Sequence, residues 1–164
     1  MRDGTRVLIR PLRPDDAALY PDFVATLTPE DIRLRMFAPL VTLSKALLDR
    51  LTRFDRAHAF ALIALDEMTG KMLGVVRLHN DAGDVAGEFA VLVQSRLKGQ
   101  GLGWMLMQRM IATARQRGIH TVHGQVLREN VTMLAMCREL GFAVADDPDD
   151  ASVELVTLNV DAAG

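Results

Sequence analysis

The chain has one cysteine, one tryptophan and one tyrosine in 164 residues, and aromatic residues make up only 5% of it. With Cys137 alone no internal disulfide can form, so nothing ties the protein to an oxidising compartment. Long apolar runs are missing as well. The longest uncharged one, Ala59 to Leu65, falls far short of the ~20 residues that a membrane helix needs. No apolar signal core follows the opening MRDGTR, so a cytoplasmic location is expected. Nor does charge of one sign dominate. Nineteen Lys+Arg against 21 Asp+Glu leave a net charge of −2, whereas proteins that grip phosphate backbones carry a strong basic excess. No membrane and no nucleic acid is therefore expected as partner. Repeats, low-complexity tracts and linker-like stretches are absent too, and the expectation is one domain over residues 1–164. What is present is an average globular composition, 49% hydrophobic and 24% charged, in a chain long enough to bury roughly 70% of its unfolded surface.

Strand and helix signals alternate along the chain. Thr5 to Leu12 is rich in β-formers and predicts a first strand, after which Asp15 or Asp16 caps a helix running to about Leu27. Thr28-Pro29-Glu30-Asp31 marks a second helix start, through a hydroxyl N-cap, a proline at the first helical position and acids in the first turn, and Ser44 opens a third short helix with Leu47, Leu48 and Leu51 on one face. Ala59 to Leu65 and Met72 to Leu78 predict a hairpin around Thr69-Gly70, and Glu88 to Val93 a third strand of the set. A glycine-rich segment then leads into a helix from about Leu102 to Gly118, a strand from Thr121 to Leu127 and a helix from Asn130 to Leu140. Two closing strands, Phe142 to Ala145 and Ser152 to Leu158, flank the acidic turn Asp146 to Asp150. One strand–helix–strand crossover among hairpins predicts an α+β fold: a mixed sheet of six to seven strands with a single parallel pair and a right-handed crossover.

The segment Lys98-Gly99-Gln100-Gly101-Leu102-Gly103 sits where a strand gives way to a helix. Unpaired N–H groups and the positive end of the helix dipole collect there, which favours phosphate or pyrophosphate. Glycines let a ligand approach those amides and accept positive φ, and Lys98 adds a full charge. The dinucleotide fingerprint fails, because Trp104 and Leu106 stand where its last glycine belongs, and the Walker pattern is absent. The pattern [Gln/Arg/Lys]-x-x-Gly-x-Gly fits. By itself it would recur by chance in roughly a quarter of chains this long, and a strand–helix turn packed through glycines explains it equally well.

Downstream context adds specificity. Asn130 to Phe142 (NVTMLAMCRELGF) resembles the closing motif of the GNAT superfamily of N-acetyltransferases, in which an Asn caps the helix after the fifth strand and Gly-Phe ends it. Residues 4–17, 27–40, 88–103 and 129–142 resemble, more closely, the acetyltransferase domain of bacterial Pat-type protein lysine acetyltransferases. The resemblance covers about residues 4–158. In many such proteins this domain follows a large acyl-CoA-synthetase-like region that this sequence does not contain, so the chain reads as a free-standing relative or an excised domain.

The resemblance implies acetyl-CoA as acetyl donor, with no metal, and an amine acceptor, most closely a protein lysine. It implies that Lys98, Gly99, Gln100, Gly101, Leu102 and Gly103 hold the CoA pyrophosphate. Val91, Leu92 and Val93 would pair with the pantetheine arm as an added strand would, with an N–H from that strand end on the thioester oxygen. Asn130 would anchor the pantetheine from the opposite side. Glu88, the only acid in EFAVLV, matches the position of the family's glutamate base. Apolar neighbours would raise its pKa toward the working range; the alternative is an acid that solvates the strand start. Two positions depart from the family. Lys98 replaces the usual Gln or Arg and lacks the planar fork of arginine. Cys137 stands where many relatives carry a tyrosine acid, and reads either as the proton donor to the leaving thiolate or as a small core residue.

Other residues have plainer readings. The methionines at 105, 107, 110, 133 and 136 read as packing. His120 and His123, three apart on a strand, face opposite sides and make a poor metal pair. His58 reads as a surface residue or a substrate contact, and Arg33 and Arg35 as a solvated helix face or as contacts to an acidic protein substrate. Competing functions are a small-amine or N-terminal acetyltransferase and a non-catalytic acyl-CoA sensor. Sheet edges leave a homodimer open.

Overall fold

A computed structural model describes residues 4–27, 52–94, 97 and 100–160. The helices expected from Thr28 and Ser44, with Arg33 and Arg35, lie outside the described residues, as do Lys98 and Gly99. Seven strands form one sheet in the order β1-β2-β3-β4-β5-β7-β6. They are β1 Val7–Pro11, β2 Ala59–Asp66, β3 Met72–Asn80, β4 Ala86–Val93, β5 Thr121–Leu127, β6 Ala143–Asp147 and β7 Asp150–Asn159. Helices α1 Tyr20–Ala25, α2 Leu102–Gln116 and α3 Val131–Glu139 complete the described fold. Every described pairing is antiparallel except β4 with β5, which α2 connects. This is the mixed sheet that the order of signals predicts.

The register assigns the sheet's two faces, since side chains alternate along each strand. Phe60, Leu62, Val76, Leu78, Phe89, Val122 and Val156 join one core with Leu106, Met107 and Met110 of α2 and Leu134 and Cys137 of α3. Ala61, Ile63 and Val75 turn to the other face and pack with Tyr20 and Phe23 of α1. β2 is buried almost throughout, because both faces are covered, which is why its sequence reads as a continuous apolar run. On the second face Arg77 stands between Ala61 and Ala90 of the neighbouring strands. Its guanidinium hydrogen-bonds the Tyr20 hydroxyl of α1.

The first helix departs from expectation. Pro14–Leu19 is a 3-10 segment with Arg13 at its N-cap, and α1 starts afresh at Tyr20. Pro21 has no N–H to continue an α-helical ladder through this point, so the helix restarts around it. Asp16, expected as a candidate cap, instead lies within that segment. Its carboxylate accepts the Arg13 N–H at 2.7 Å and two bonds from Arg10 at 2.8 Å, which pins the segment to β1. Burial alone would raise the Asp16 pKa, but these bonds outweigh it and hold the carboxyl below the usual range.

Two glycines permit close packing beneath the parallel pair. A Cβ on Gly124 of β5 would lie 2.7 Å from Phe89 Cε1, and one on Gly87 of β4 would lie 2.9 Å from Leu78 Cγ. The Phe89 ring also meets Phe142 at 5.5 Å between centroids. Gly124→Ala is expected to destabilise the fold by about 1–3 kcal/mol through overpacking. Urea unfolding compared with wild type measures this, and an unchanged midpoint would show that the ring moves aside freely.

Candidate active site

β4 and β5 pair only through Ala86–Thr121, Gly87–Val122 and Glu88–His123. Beyond that point they part, although β4 continues to Val93 and β5 to Leu127. β3 stays paired with β4 along its length, and two bonds set which backbone groups it uses. The Gln94 N–H donates to Leu73 O at 2.9 Å and the Asp81 N–H to Ala86 O at 2.8 Å. In an antiparallel ladder those bonds flank non-hydrogen-bonded pairs, so Glu88, Ala90 and Leu92 exchange their bonds with β3. Val91 and Val93 therefore turn N–H and C=O toward the opening, whereas the N–H of Phe89 is taken up by the Glu88–His123 pairing with β5. Of the three residues expected to pair with pantetheine, Val91 and Val93 are so directed. Leu92 is not: its backbone is spent on β3 and its side chain packs on the α1 face.

The opening leads to the start of α2. Gly101 is its N-cap with φ +90°, no side chain caps it, and no acid stands in its first turn. The first intrahelical bond is Met105 N–H to Gly101 O, 3.1 Å. The N–H groups of Leu102, Gly103 and Trp104 thus have no acceptor among the described residues. No described residue lies within 4 Å of a Cβ built on Gly101, while one built on Gly103 would lie 3.7 Å from Met136 of α3 and 4.0 Å from Val93 of β4. The helix end is therefore at the mouth of the opening, between β4 and α3, with its positive pole uncompensated. Gln100 stands before it, half-buried, its N–H donating to Leu97 O at 3.2 Å.

On the far side, Asn130 is the N-cap of α3. Its Oδ1 accepts the Met133 N–H at 3.3 Å, which leaves the side-chain NH2 without a partner among the described residues. Cys137, about two turns further on, is fully buried within the core, and burial pushes its thiol up to about 11. That is the environment of a packing residue. The five methionines likewise belong to the core or pack against it.

Glu88 occupies the last paired position before the strands separate. It is exposed and has no hydrogen-bond or ion-pair partner among the described residues. Its lateral neighbours on the same face are histidines, His79 of β3 and His123 of β5, rather than the apolar residues expected. His123 Nε2 lies 2.6 Å from Asp81 Oδ2, across the loop that joins β3 to β4. The same loop is held at its other end, where His58 Nδ1 is 2.9 Å from Asp84 Oδ1 and Asn80 Nδ2 donates to that oxygen at 3.0 Å. These contacts were out of reach of sequence reasoning, because they depend on which strands pair and in what register.

A strand edge with unused amides, leading to a helix N-terminus uncapped among the described residues, has the form that suits an elongated ligand with an anionic end. A carboxylate without a partner among the described residues, Glu88, stands at the head of that path. Comparison with known proteins agrees. The acetyltransferase (GNAT) family matches residues 26–142. An acetyltransferase of Pseudomonas aeruginosa is 32% identical over 92% of this chain and 82% of its own length. The acetyltransferase Pat of Mycolicibacterium smegmatis is 25% identical over 86% of this chain, which spans 42% of that longer protein. Among solved structures, the GNAT domain of S. lividans PAT superposes with a TM-score of 0.87 at 27% identity, over 96% of this chain and 93% of that one. A Salmonella typhimurium acetyltransferase solved with its cofactor acetyl-CoA shares the fold, with a TM-score of 0.70 at 18% identity over 95% of each chain. The chain belongs to the GNAT acetyltransferase family, and is an acetyl-CoA-dependent acyltransferase.

The loop clamp beside the site has a defined pH response. The hydrogen bond and charge of Asp84, with a smaller contribution from Asp55, raise the His58 pKa above its ordinary 6.5, and the His58 hydrogen bond lowers that of Asp84. A raised histidine pKa stabilises the clamp below the unfolded value, and that contribution is lost as pH rises through the folded one. NMR titration should therefore place His58 above its ordinary value in wild type and return it there in Asp84→Asn. Identical titrations in the two proteins would show that the clamp does not persist in solution.

Proposed function

We propose that the protein moves the acetyl group of acetyl-CoA to a lysine ε-amine of a protein substrate in the cytoplasm. Glu88 is proposed to receive the proton that the acceptor must lose. A lysine amine with pKa near 10.4 is neutral in only about one molecule in a few thousand at pH 7, so a nearby base raises the reactive fraction. The observation that carries this reading is the position of Glu88. It is an exposed carboxylate with no partner among the described residues, where β4 and β5 part.

The remaining roles follow the geometry. The N–H groups of Leu102, Gly103 and Trp104, with Gly101 leaving room above them, suit the pyrophosphate; Lys98, Gly99 and Gln100 precede them in the same loop. Val91 and Val93 offer backbone bonds to the pantetheine amides, and the Asn130 side-chain NH2 reaches from the other wall. An N–H of the opened β4 edge then stands toward the thioester oxygen, where it stabilises the charge that develops as the nitrogen attacks. The lysine reading rests on the four stretches of sequence that resemble Pat-type proteins. An exposed Glu88 also suits a side chain presented on a macromolecule.

A second reading has its own observation. Arg77 is half-buried on the same face, with Tyr20 as its only polar partner among the described residues and no carboxylate. A free amino acid would bring one. An acetyltransferase of Pseudomonas aeruginosa that acts on methionine sulfoximine and methionine sulfone is 28% identical over 54% of this chain.

Assays with acetyl-CoA and either a lysine peptide or free methionine sulfone separate the two. With the lysine peptide, Glu88→Gln is expected to lower kcat/KM by about 10²–10⁴-fold. Stabilisation by acetyl-CoA should be unchanged in that variant, at about 2.7 kcal/mol when the ligand is near 100 times its Kd. Turnover of the sulfone alone would replace the lysine reading. Binding of acetyl-CoA with no transfer to any amine would favour a sensor.

A further inference from the structure

Acetyl transfer to an ammonium removes two protons from one nitrogen. The first must leave before attack. The second leaves once the new N–C bond has formed and the C–S bond breaks, and it must finally balance the CoA thiolate. Glu88 can serve one of these steps. The cysteine that stands at the family's acid position is sealed in the core, and burial pushes its thiol up. Among the described residues, the second proton needs another carrier beside Glu88.

The geometry points to His123, oriented by Asp81, as that second proton carrier. Three observations place it. His123 is the register partner of Glu88 in the parallel ladder, so both side chains leave the same face, on strands about 4.8 Å apart. This pair is the last before β4 and β5 separate, so it borders the opening itself. And the ring is held: Nε2 lies 2.6 Å from Asp81 Oδ2. An ionised carboxylate only accepts hydrogen bonds, so Nε2 carries a proton, and in the neutral ring Nδ1 keeps its lone pair. His79, on the other side of Glu88, is exposed and has no such tether among the described residues.

The step balances without any further reagent. The acceptor ammonium gives its first proton to Glu88 and, as an amine, forms the N–C bond to the thioester carbonyl. The second proton passes from nitrogen to Nδ1 of His123, giving an imidazolium that Asp81 stabilises. The C–S bond breaks with its electron pair on sulfur, and the imidazolium proton passes through water to the CoA thiolate. The first proton leaves Glu88 for solvent, so one proton is released per turnover. Asp81 touches no reacting atom; it is a positioning residue that sets the tautomer.

This inference rests on the reading of Glu88 as the first base, and the test separates the two. With acetyl-CoA and a lysine peptide, His123→Asn should lower kcat by about 10²-fold. Its KM for acetyl-CoA and its melting temperature should stay as in wild type. Asp81→Asn should lower kcat about tenfold by releasing the tautomer, and Asp81→Glu should recover part of it. Loss in Glu88→Gln with wild-type kcat in His123→Asn overturns the His123 role and keeps Glu88. Loss in His123→Asn with full activity in Glu88→Gln overturns the Glu88 reading and keeps His123. A His123→Asn protein that melts lower or binds acetyl-CoA more weakly, at unchanged kcat, assigns the histidine to structure and overturns the proposal. One readout needs neither an acceptor nor a folded His123 variant: nitrogen NMR of the wild-type ring. A proton on Nε2 with Nδ1 bare supports the assignment, and a neutral ring protonated on Nδ1 overturns it.

Discussion

Every functional feature of this protein depends on an incomplete strand pair. Parallel strands β4 and β5 are joined through three residue pairs and then diverge, although a longer ladder would satisfy more backbone groups. Buried peptide groups left without partners are costly, so an opened ladder persists where something else can take the place of the missing strand. β3 keeps β4 rigid from its other edge, and the amides of Val91 and Val93 are thereby presented to the gap in fixed positions. Preorganisation of that kind is what lets a backbone edge bind an extended ligand without first having to be ordered.

Packing beneath the gap holds it open on one side and closed on the other. The Phe89 ring fills the space that a side chain at position 124 would occupy, and it also meets Phe142 just after α3. α2 is anchored by Leu102, Leu106, Met107 and Met110, all fully buried, so its N-terminus cannot drift from the end of β4. The amides at Leu102 to Trp104, without an acceptor among the described residues, are thus a consequence of core packing as much as of local glycine content. The proposed chemistry lies on the opposite face, where polar side chains from β3, β4, β5 and the loop between β3 and β4 stand.

Much of the fold is readable in the sequence because its signals are local. Thr69-Gly70 marks a hairpin, and Gly70 does adopt a positive φ of 73°. Asn130 does cap α3, and the glycine-rich segment does end in a helix with Gly101 in the left-handed region. Readings failed where a longer-range partner competes. Asp16 is a good N-cap by type, yet Arg10 on β1 and the Arg13 N–H claim its carboxylate. Leu92 lies between two residues that face the gap, and only the bonding alternation with β3 reveals that it points elsewhere.

The sequence by itself determined the order of the described strands, the single crossover, the glycine-rich helix start and the acid at position 88, since each follows from neighbours within a few residues. Only the tertiary structure decided that Cys137 is sealed in the core and that Glu88 stands between two histidines. The same holds for His123 against Asp81, residues 42 positions apart in the chain. The physical reason is register. A strand's face and its lateral neighbours are set by which strand it pairs with and by how far it is slid, and a slip of one residue would exchange the two faces.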